Sequence, residues 1–432
     1  MNHPRTLVIS NNSFSKTDSN GRTLGNFFIG WPKDRLAQFC VSTDGANFDL
    51  CDNYYCITDG EVMNARMHLR KPKRIVLAMN ENDASQGSRG TGKKTALRML
   101  VRDLFWSGGF WNTPDFKCWV KDFAPEVILV MFSDSSFILN LATRLAQDLN
   151  LPLLMFTTEG YYFFKHNYFR TKTQWDWLWL PIYQSRFRRQ VKRTMNCVSY
   201  PIYCNSLLQE DYSREFKKES IVLYTTSIIE WKDRDYSKDL FKCSYIGNLT
   251  FGRPRALVEI AEVLREINPS LMLDVFGRAL KEDDEKLLNS HPNINFHGFI
   301  GYDEMMQVIT ESNILFHAES QDECWHEGLK YGFSTKIADS LSSGACFVLY
   351  SSPNIAGAKY IQETGAGWFA ADKAALKACL EEITNEPKKR NAVLEKAKAI
   401  AKQNHNAEVN SEKFRAIIEQ VVYNSINKPL NI

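Results

Sequence analysis

Short apolar runs, each followed by a stretch with apolar residues at helical spacing, recur along this chain. Residues 126–132 (Glu-Val-Ile-Leu-Val-Met-Phe) are the clearest run, and 137–149 behind them carry the helical pattern. An unbroken apolar strand is one buried on both faces, as in the middle of a parallel sheet. Parallel neighbours need a crossover, usually a helix, to bring the chain back to the same end of the sheet. The pattern therefore predicts an α/β fold of parallel, doubly wound sheets covered by helices.

In the first half, strands are predicted at 6–10, 35–42, 74–79, 126–132 and 151–157, with helices at 23–30, 94–105 and 137–149. Residues 161–226 break the rhythm. They carry Trp175, Trp177 and Trp179, then the basic run Arg186, Arg188, Arg189, Lys192 and Arg193. This stretch reads as the last helices of a first domain plus a crossover. From Cys243 the alternation resumes, with strands at 244–247, 271–277, 294–298, 314–318 and 345–350. Helices are predicted at 254–266, 302–312, 334–344, 376–382, 393–403 and 408–423, and an irregular loop after residue 318. A chain of 432 residues holds two such domains. The expected division is 1–215, 216–404, and a last helix at 405–432 that returns to the first domain. Two facing Rossmann-like domains would leave an interdomain cleft at the carboxyl ends of their strands, where ligands sit in such sheets.

Composition removes several alternatives. The net charge of +3 is too small to argue for nucleic acid. The first residues lead straight into a strand, so no signal peptide is expected. No apolar run approaches the roughly eighteen residues that span a bilayer. The ten cysteines are scattered with no Cys-x-x-Cys pair, which argues against zinc and redox motifs and suits reduced thiols in a cytosol.

Residues 333–344 (Phe-Ser-Thr-Lys-Ile-Ala-Asp-Ser-Leu-Ser-Ser-Gly) read as an anion site. Ser334 or Thr335 can cap a helix by accepting a hydrogen bond from its first free N–H groups. The remaining N–H groups and the positive dipole end suit a phosphate. Lys336 adds a full charge, and Asp339 follows about one turn on, on the same face, at a place that suits ribose hydroxyls. Gly344 supplies the stop. The plain alternative is a capped surface helix with a favourable acid.

The second half then resembles a known family. Residues 244–250 (Ser-Tyr-Ile-Gly-Asn-Leu-Thr), 274–277 (Asp-Val-Phe-Gly), 293–299 (Asn-Ile-Asn-Phe-His-Gly-Phe) and 334–344 are similar, block by block and in order, to family 4 glycosyltransferases of the GT-B fold. The likeness is strongest over 242–371. In the first half only the order of elements and the loop Ser19-Asn20-Gly21-Arg22 agree. The resemblance implies transfer of a sugar from a nucleotide-sugar donor to a glycan or lipid-linked glycan, with retention of configuration. It implies no divalent metal and no bound cofactor. Lys336 resembles the lysine on the donor diphosphate, and Asp339 the acid on the ribose. Arg253, or Arg255 in its place, resembles the basic residue after the first strand of the donor domain. Gly21 resembles a glycine of the loop that closes near donor and acceptor. Gly247, Ser334 and Thr335 complete the implied donor set. The family often has two glutamates eight positions apart. Here the first position is Tyr331, Glu327 is the nearest candidate for that role, and the second is Asp339, one methylene shorter. A catalytically silent GT-B protein acting as a binding partner is the rival that this departure leaves open.

Other residues are weighed on their own chemistry. Glu159 ends a predicted strand, and would either orient an acceptor and stabilise positive charge or be a polar strand end. Asp134 also ends a strand and reads as a helix N-cap. His317 ends a strand beside the donor blocks, where it would contact the sugar. His297, His317 and His326 lack metal-ligand spacing. Asp233-x-Asp235 lies in a polar run and reads as a solvated loop. Residues 87–95 approach a phosphate-binding loop, but Lys94 stands where the serine or threonine should be. The aromatic and basic stretch 161–192 would either contact a membrane surface or pack between domains. The combined expectation is a cytoplasmic enzyme, peripheral on the inner face of a membrane, in surface polysaccharide or glycoconjugate synthesis.

Overall fold

Val127-Ile-Leu-Val-Met131 has no polar side chain to offer water, and every residue of that strand is buried. Every residue of the strands Thr6–Ile9, Leu36–Cys40, Leu153–Thr157 and Cys346–Tyr350 is buried as well. Such segments need cover on both faces, and helices provide it. The computed structural model describes residues 3–16, 19–42, 45–76, 94–169, 171–236 and 241–427. The chain forms two units, one of Met1–Cys204, Leu208–Leu223 and Ser411–Ile432, the other of Asn205–Leu207 and Tyr224–Asn410.

Unit 1 contains β1 (Thr6–Ile9), α1 (Ser19–Asn26), β2 (Leu36–Cys40), β3 (Asn53–Cys56), α2 (Asp59–Met67), α3 (Ala96–Phe105), α4 (Pro114–Phe123), β4 (Val127–Met131), α5 (Ser136–Leu149), β5 (Leu153–Thr157), α6 (Asp176–Cys197), β6 (Val198–Tyr203), α7 (Ser206–Phe216) and β7 (Ile221–Val222). The seven strands are ordered β3-β2-β1-β4-β5-β6-β7, and every pairing is parallel.

Three expectations for this unit need correction. The third strand is not at 74–79 but at β3. Ile75 makes only an isolated antiparallel bridge to Cys56, and residues 77–79 lie outside the described residues. Asn-Tyr-Tyr-Cys is an edge strand, so it needs less apolar character than a central one. The stretch 161–226 is more than helices and a crossover, because β6 and β7 extend the sheet there. Pro201 and Tyr203 disguise β6 as a loop. Helix α1 begins at Ser19 rather than Thr23.

Unit 2 contains β8 (Cys243–Ile246), α8 (Arg253–Ile267), β9 (Leu273–Phe276), α9 (Glu282–Asn289), β10 (Ile294–Gly298), α10 (Tyr302–Glu311), β11 (Ile314–Ala318), α11 (Glu323–Leu329), α12 (Thr335–Ser343), β12 (Cys346–Tyr350), α13 (Ala356–Thr364), β13 (Trp368–Ala370), α14 (Lys373–Asn385) and α15 (Pro387–Ile400). Its six parallel strands are ordered β10-β9-β8-β11-β12-β13. Ile260 and Leu264 of α8 pack with Val275, Phe316 and Val348 in its core. The expected irregular loop after β11 holds the short helix α11, and α9, α13 and β13 were not anticipated. Helix α16 (Ala407–Ile426) follows a π turn at Ala401–His405. From Ser411 it belongs to unit 1, where the Ser411 hydroxyl donates to the carbonyls of Phe27 (3.1 Å) and Ile29 (2.8 Å).

Candidate active site

A doubly wound sheet opens a crevice where its strand order reverses, beyond the carboxyl ends of the two strands concerned. In unit 2 that place is between β8 and β11. Gly247 follows β8 directly, and Arg253 is the first residue of α8. His317 is the penultimate residue of β11, and Glu319 is the first residue after that strand. These side chains meet. Arg253 Nε donates to Glu319 Oε2 and Nη2 to Oε1, both at 2.8 Å, while Nη1 reaches the Asn248 carbonyl at 3.1 Å. His317 Nε2 lies 3.1 Å from Glu319 Oε1. The Arg253 and Glu319 side chains are only 12% and 9% exposed, so the pair is shielded from solvent. Burial alone would raise the Glu319 carboxyl, but the Arg253 charge and the His317 contact outweigh it and hold it at about 2.

Glu319 was not among the sequence candidates. The signal that could have found it is the one that found Glu159, an acid just past the end of a buried strand. The two segments that the pair joins also carry polar atoms that lack hydrogen-bond partners among the described residues. These are Thr250 Oγ1, His317 Nδ1 and Gln321 Nε2, all buried. Buried polar groups normally find a partner, so this edge is prepared for a polar ligand or water.

A second set lies on α12. Ser334, not Thr335, is the N-cap, and its hydroxyl accepts from the Lys336 N–H at 3.3 Å. Thr335 and Lys336 open the helix, both half-buried. Asp339 is buried, and its Oδ1 accepts from the Ser227 hydroxyl at 2.7 Å. Gly344 ends the helix at φ 84°, the left-handed conformation that a C-terminal stop needs. Glu327 is half-exposed on α11. Tyr331, at the position where an acid was sought, is buried, with Lys330 Nζ 2.9 Å from its hydroxyl. Arg255 is 77% exposed and 3.9 Å from Asp322, so Arg253 alone of the two joins the Glu319 pair. His297 stacks on Phe276 and faces Asp274 at 2.9 Å. His326 contacts the Gln321 carbonyl. Asp233 and Asp235 are exposed in a loop.

In unit 1 the strand order reverses between β1 and β4. Asn11, beyond β1, donates to Ser133 Oγ, beyond β4, at 2.8 Å. Asp134 does not cap α5. Ser135 holds the N-cap position, Asp103 of α3 accepts from the Phe137 N–H, and buried Asp134 pairs with Lys94 at 2.8 Å. That pairing places Lys94 on a carboxylate, while residues 87–93 of the loop ahead of it lie outside the described residues. Glu159 is half-buried, two residues past β5. Desolvation, then the nearby Asp134 charge, push its carboxyl up to about 7. Gly21 sits in α1 so close to the loop after β1 that a Cβ there would lie 2.5 Å from the Ser13 carbonyl oxygen. No larger residue fits without displacing that loop.

Known proteins share this architecture. Residues 253–416 match the family model described as glycosyl transferase-like, which spans α8 to the first turns of α16. HepE of Anabaena, solved in complex with UDP, superposes with a TM-score of 0.62 at 12% identity, covering 96% of this chain and 100% of that one. Sucrose-phosphate synthase of Thermosynechococcus elongatus gives 0.60 at 11% identity, covering 98% of this chain and 100% of that one. The chain has the GT-B fold. The lipopolysaccharide outer core galactosyltransferase WaaB, in its apo form, gives 0.58 at 11% identity over 96% of this chain and 99% of that one. At such identities the likeness is one of fold. No curated protein matches by sequence. Among the described residues of this GT-B chain, no helix is long and apolar enough to cross a membrane.

Proposed function

We propose that this GT-B protein is a retaining glycosyltransferase of the family 4 type, moving a hexose from a nucleotide-sugar donor to a glycan or lipid-linked glycan in surface polysaccharide or glycoconjugate synthesis. One observation carries the reading: a Ser334-capped helix with Lys336 in its first turn lies inside the segment that matches the glycosyl transferase-like model. The UDP, glucose and UDP-glucose named for the HepE structures support a nucleotide-sugar donor.

The donor lies along the carboxyl edge of unit 2. Its diphosphate takes the α12 N–H groups and Lys336 Nζ. The ribose is held near Asp339, and the sugar near His317, Gly247 and Glu327. Arg253 carries its charge already balanced by Glu319, and Lys336, in the first turn of α12, is the residue that stabilises the leaving diphosphate. The acceptor oxygen attacks the anomeric carbon from the face that the diphosphate leaves, and a departing phosphate oxygen takes the acceptor proton. Glu159 orients the acceptor, and Gly21 lets α1 lie against the loop after β1. Charge stabilisation by a lysine and helix N–H groups needs no metal. The protein works on the cytoplasmic face of a membrane, with the surface that includes part of residues 161–192 turned to the lipid.

The test is donor binding and turnover with Lys336→Ala. Loss of one charge-stabilising donor should lower turnover by about 10²–10³-fold. UDP-sugar, GDP-sugar and ADP-sugar panels in calorimetry identify the base. Tight donor binding by the parent without hydrolysis or transfer would favour the silent GT-B alternative, for which buried Tyr331 in place of an acid is the supporting observation.

A further inference from the structure

Unit 1 wears its apolar side chains unevenly. Among the described residues twenty large apolar side chains are exposed, and eleven of them fall in the segments 59–76, 94–107 and 171–197. Those segments contain α2, α3 and α6, and α3 is the middle helix, packed against both others. Arg66 of α2 fastens the end of α3 by donating to the carbonyls of Phe105 (2.8 Å) and Ser107 (2.5 Å). Leu97, Val101 and Leu104 of α3 are 40%, 41% and 65% exposed. Their spacing of four and three residues makes one stripe along the helix. Met63 and Met67 of α2 and Trp177, Leu178 and Ile182 of α6 are exposed as well.

Charge follows the same three segments. They hold 14 Lys and Arg against 4 Asp and Glu, whereas the whole chain holds 53 against 50. Their 59 residues thus carry a net +10, and everything else carries −7. The exposed face of α6 changes character along its length, from Trp177, Leu178 and Ile182 to Arg186, Arg189 and Arg193. The neighbouring aromatic run does not join this surface, since Tyr162, Phe164 and Phe169 are buried.

We propose that α2, α3 and the exposed face of α6 form a docking surface for an anionic lipid bilayer. The apolar stripe enters the headgroup boundary and the arginines of α6 rest on lipid phosphates. Exposed apolar patches rimmed by cations are costly in water and are matched by such an interface. A nucleic acid would satisfy the charge but leave Leu97, Val101 and Leu104 in water. The surface holds the protein in the plane where a lipid-linked acceptor is found. Only this last step rests on the transferase reading, and it narrows the acceptor to the lipid-linked class.

The experiment is cosedimentation of the full chain with vesicles of phosphatidylcholine alone, or with phosphatidylglycerol at three to one, at low and high salt. Binding of UDP, GDP and ADP is measured on the same preparations. The parent should sediment with the anionic vesicles, less with the neutral ones, and less at high salt. The triple variant Arg186→Gln, Arg189→Gln, Arg193→Gln should lower partitioning by about 10²-fold, since each basic residue near an anionic surface contributes about fivefold. The triple variant Leu97→Gln, Val101→Gln, Leu104→Gln should lower it by at least about tenfold. Tyr423→Gln with Ile426→Gln, exposed apolar positions elsewhere, should leave it unchanged. Unaltered thermal unfolding shows that each variant is folded. A parent that stays in the supernatant with anionic vesicles at low salt overturns the proposal. So does an apolar triple variant that sediments like the parent, or a surface that a DNA duplex occupies with equal loss in both variants. Vesicle binding without binding of UDP, GDP or ADP overturns the transferase reading and leaves the docking surface standing. Binding of one of these nucleotides without vesicle binding does the reverse.

Discussion

Glu319 is the residue on which the donor edge of unit 2 turns. It accepts from Arg253 twice and lies beside His317, so its charge neutralises a buried guanidinium. Removing one partner of a buried pair leaves the other uncompensated and costs about 3–5 kcal/mol, while replacing both by apolar groups is far milder. Glu319→Gln should therefore destabilise unit 2 strongly in urea unfolding, and Glu319→Leu with Arg253→Leu should recover most of the loss. Equal losses in the single and double variants would mean that the pair is incidental. The pH sign is fixed by the shift. The carboxyl is lowered from 4.5 to about 2, so its contribution is complete above 4.5 and is lost as pH falls from there through 2. Glu159 has the opposite sign. Raised from 4.5 to about 7, it binds a proton more readily folded than unfolded, so it costs stability as pH rises through that interval. Glu159→Gln should stabilise the protein at pH 8 and not at pH 4. Because Glu159 keeps part of its surface in water, the gain is about 1–3 kcal/mol. A melting temperature unchanged at pH 8 would place the carboxyl back in its ordinary range.

Helix α12 shows which elements can be read from sequence. Its cap, its lysine and its stop are all local chemistry, so Ser334, Lys336 and Gly344 were legible before any tertiary contact was known. Strands β1, β4 and β12 were legible for a similar reason, since an unbroken apolar run has one common use. Strand β3 was not, because Asn-Tyr-Tyr-Cys at a sheet edge carries a weak pattern. Strand β6 was hidden by Pro201 and by the aromatic run before it. Glu319 was missed because its partner Arg253 comes from a different βα unit, and no spacing in the sequence links them. Asp134 was misassigned because α3 supplies Asp103 as the acceptor at the start of α5, a contact that only the folded chain reveals. The glycine stop permits a sharp test. A Cβ at Gly344 would lie 2.1 Å from the Lys232 carbonyl oxygen, and φ there is 84°. Gly344→Ala adds the left-handed penalty of about 1–2 kcal/mol to a backbone clash. It should lower the melting temperature of unit 2 by more than Gly328→Ala, whose Cβ would meet nothing within 4 Å. Equal effects would mean that the turn yields without cost.

The whole chain is not two beads in sequence order. Unit 1 is built from the first 204 residues, Leu208–Leu223 and the last segment, Ser411–Ile432, so its core closes only when the end of the chain arrives. Phe414 is fully buried there, stacked on Phe27 at 5.1 Å and edge-on to Phe28 at 5.2 Å. Phe27 in turn meets Phe156 of β5 at 4.8 Å, which carries the contact into the sheet. Unit 2 is almost continuous, Tyr224–Asn410, and keeps a core of its own. Chains divided in this way need not unfold in one step, and a single melting point then conflates two stabilities. Phe414→Ala should cost about 3–5 kcal/mol as a large-to-small core change. Native-state hydrogen exchange locates that loss, because each cooperative region opens with its own free energy. Amides of β1, β2, β4 and β5 should exchange faster in the variant, while those of β8, β11 and β12 keep their protection. Acceleration of equal size in both sheets would show that the units unfold as one, and that the returning segment supports more of the molecule than the sheet it packs on.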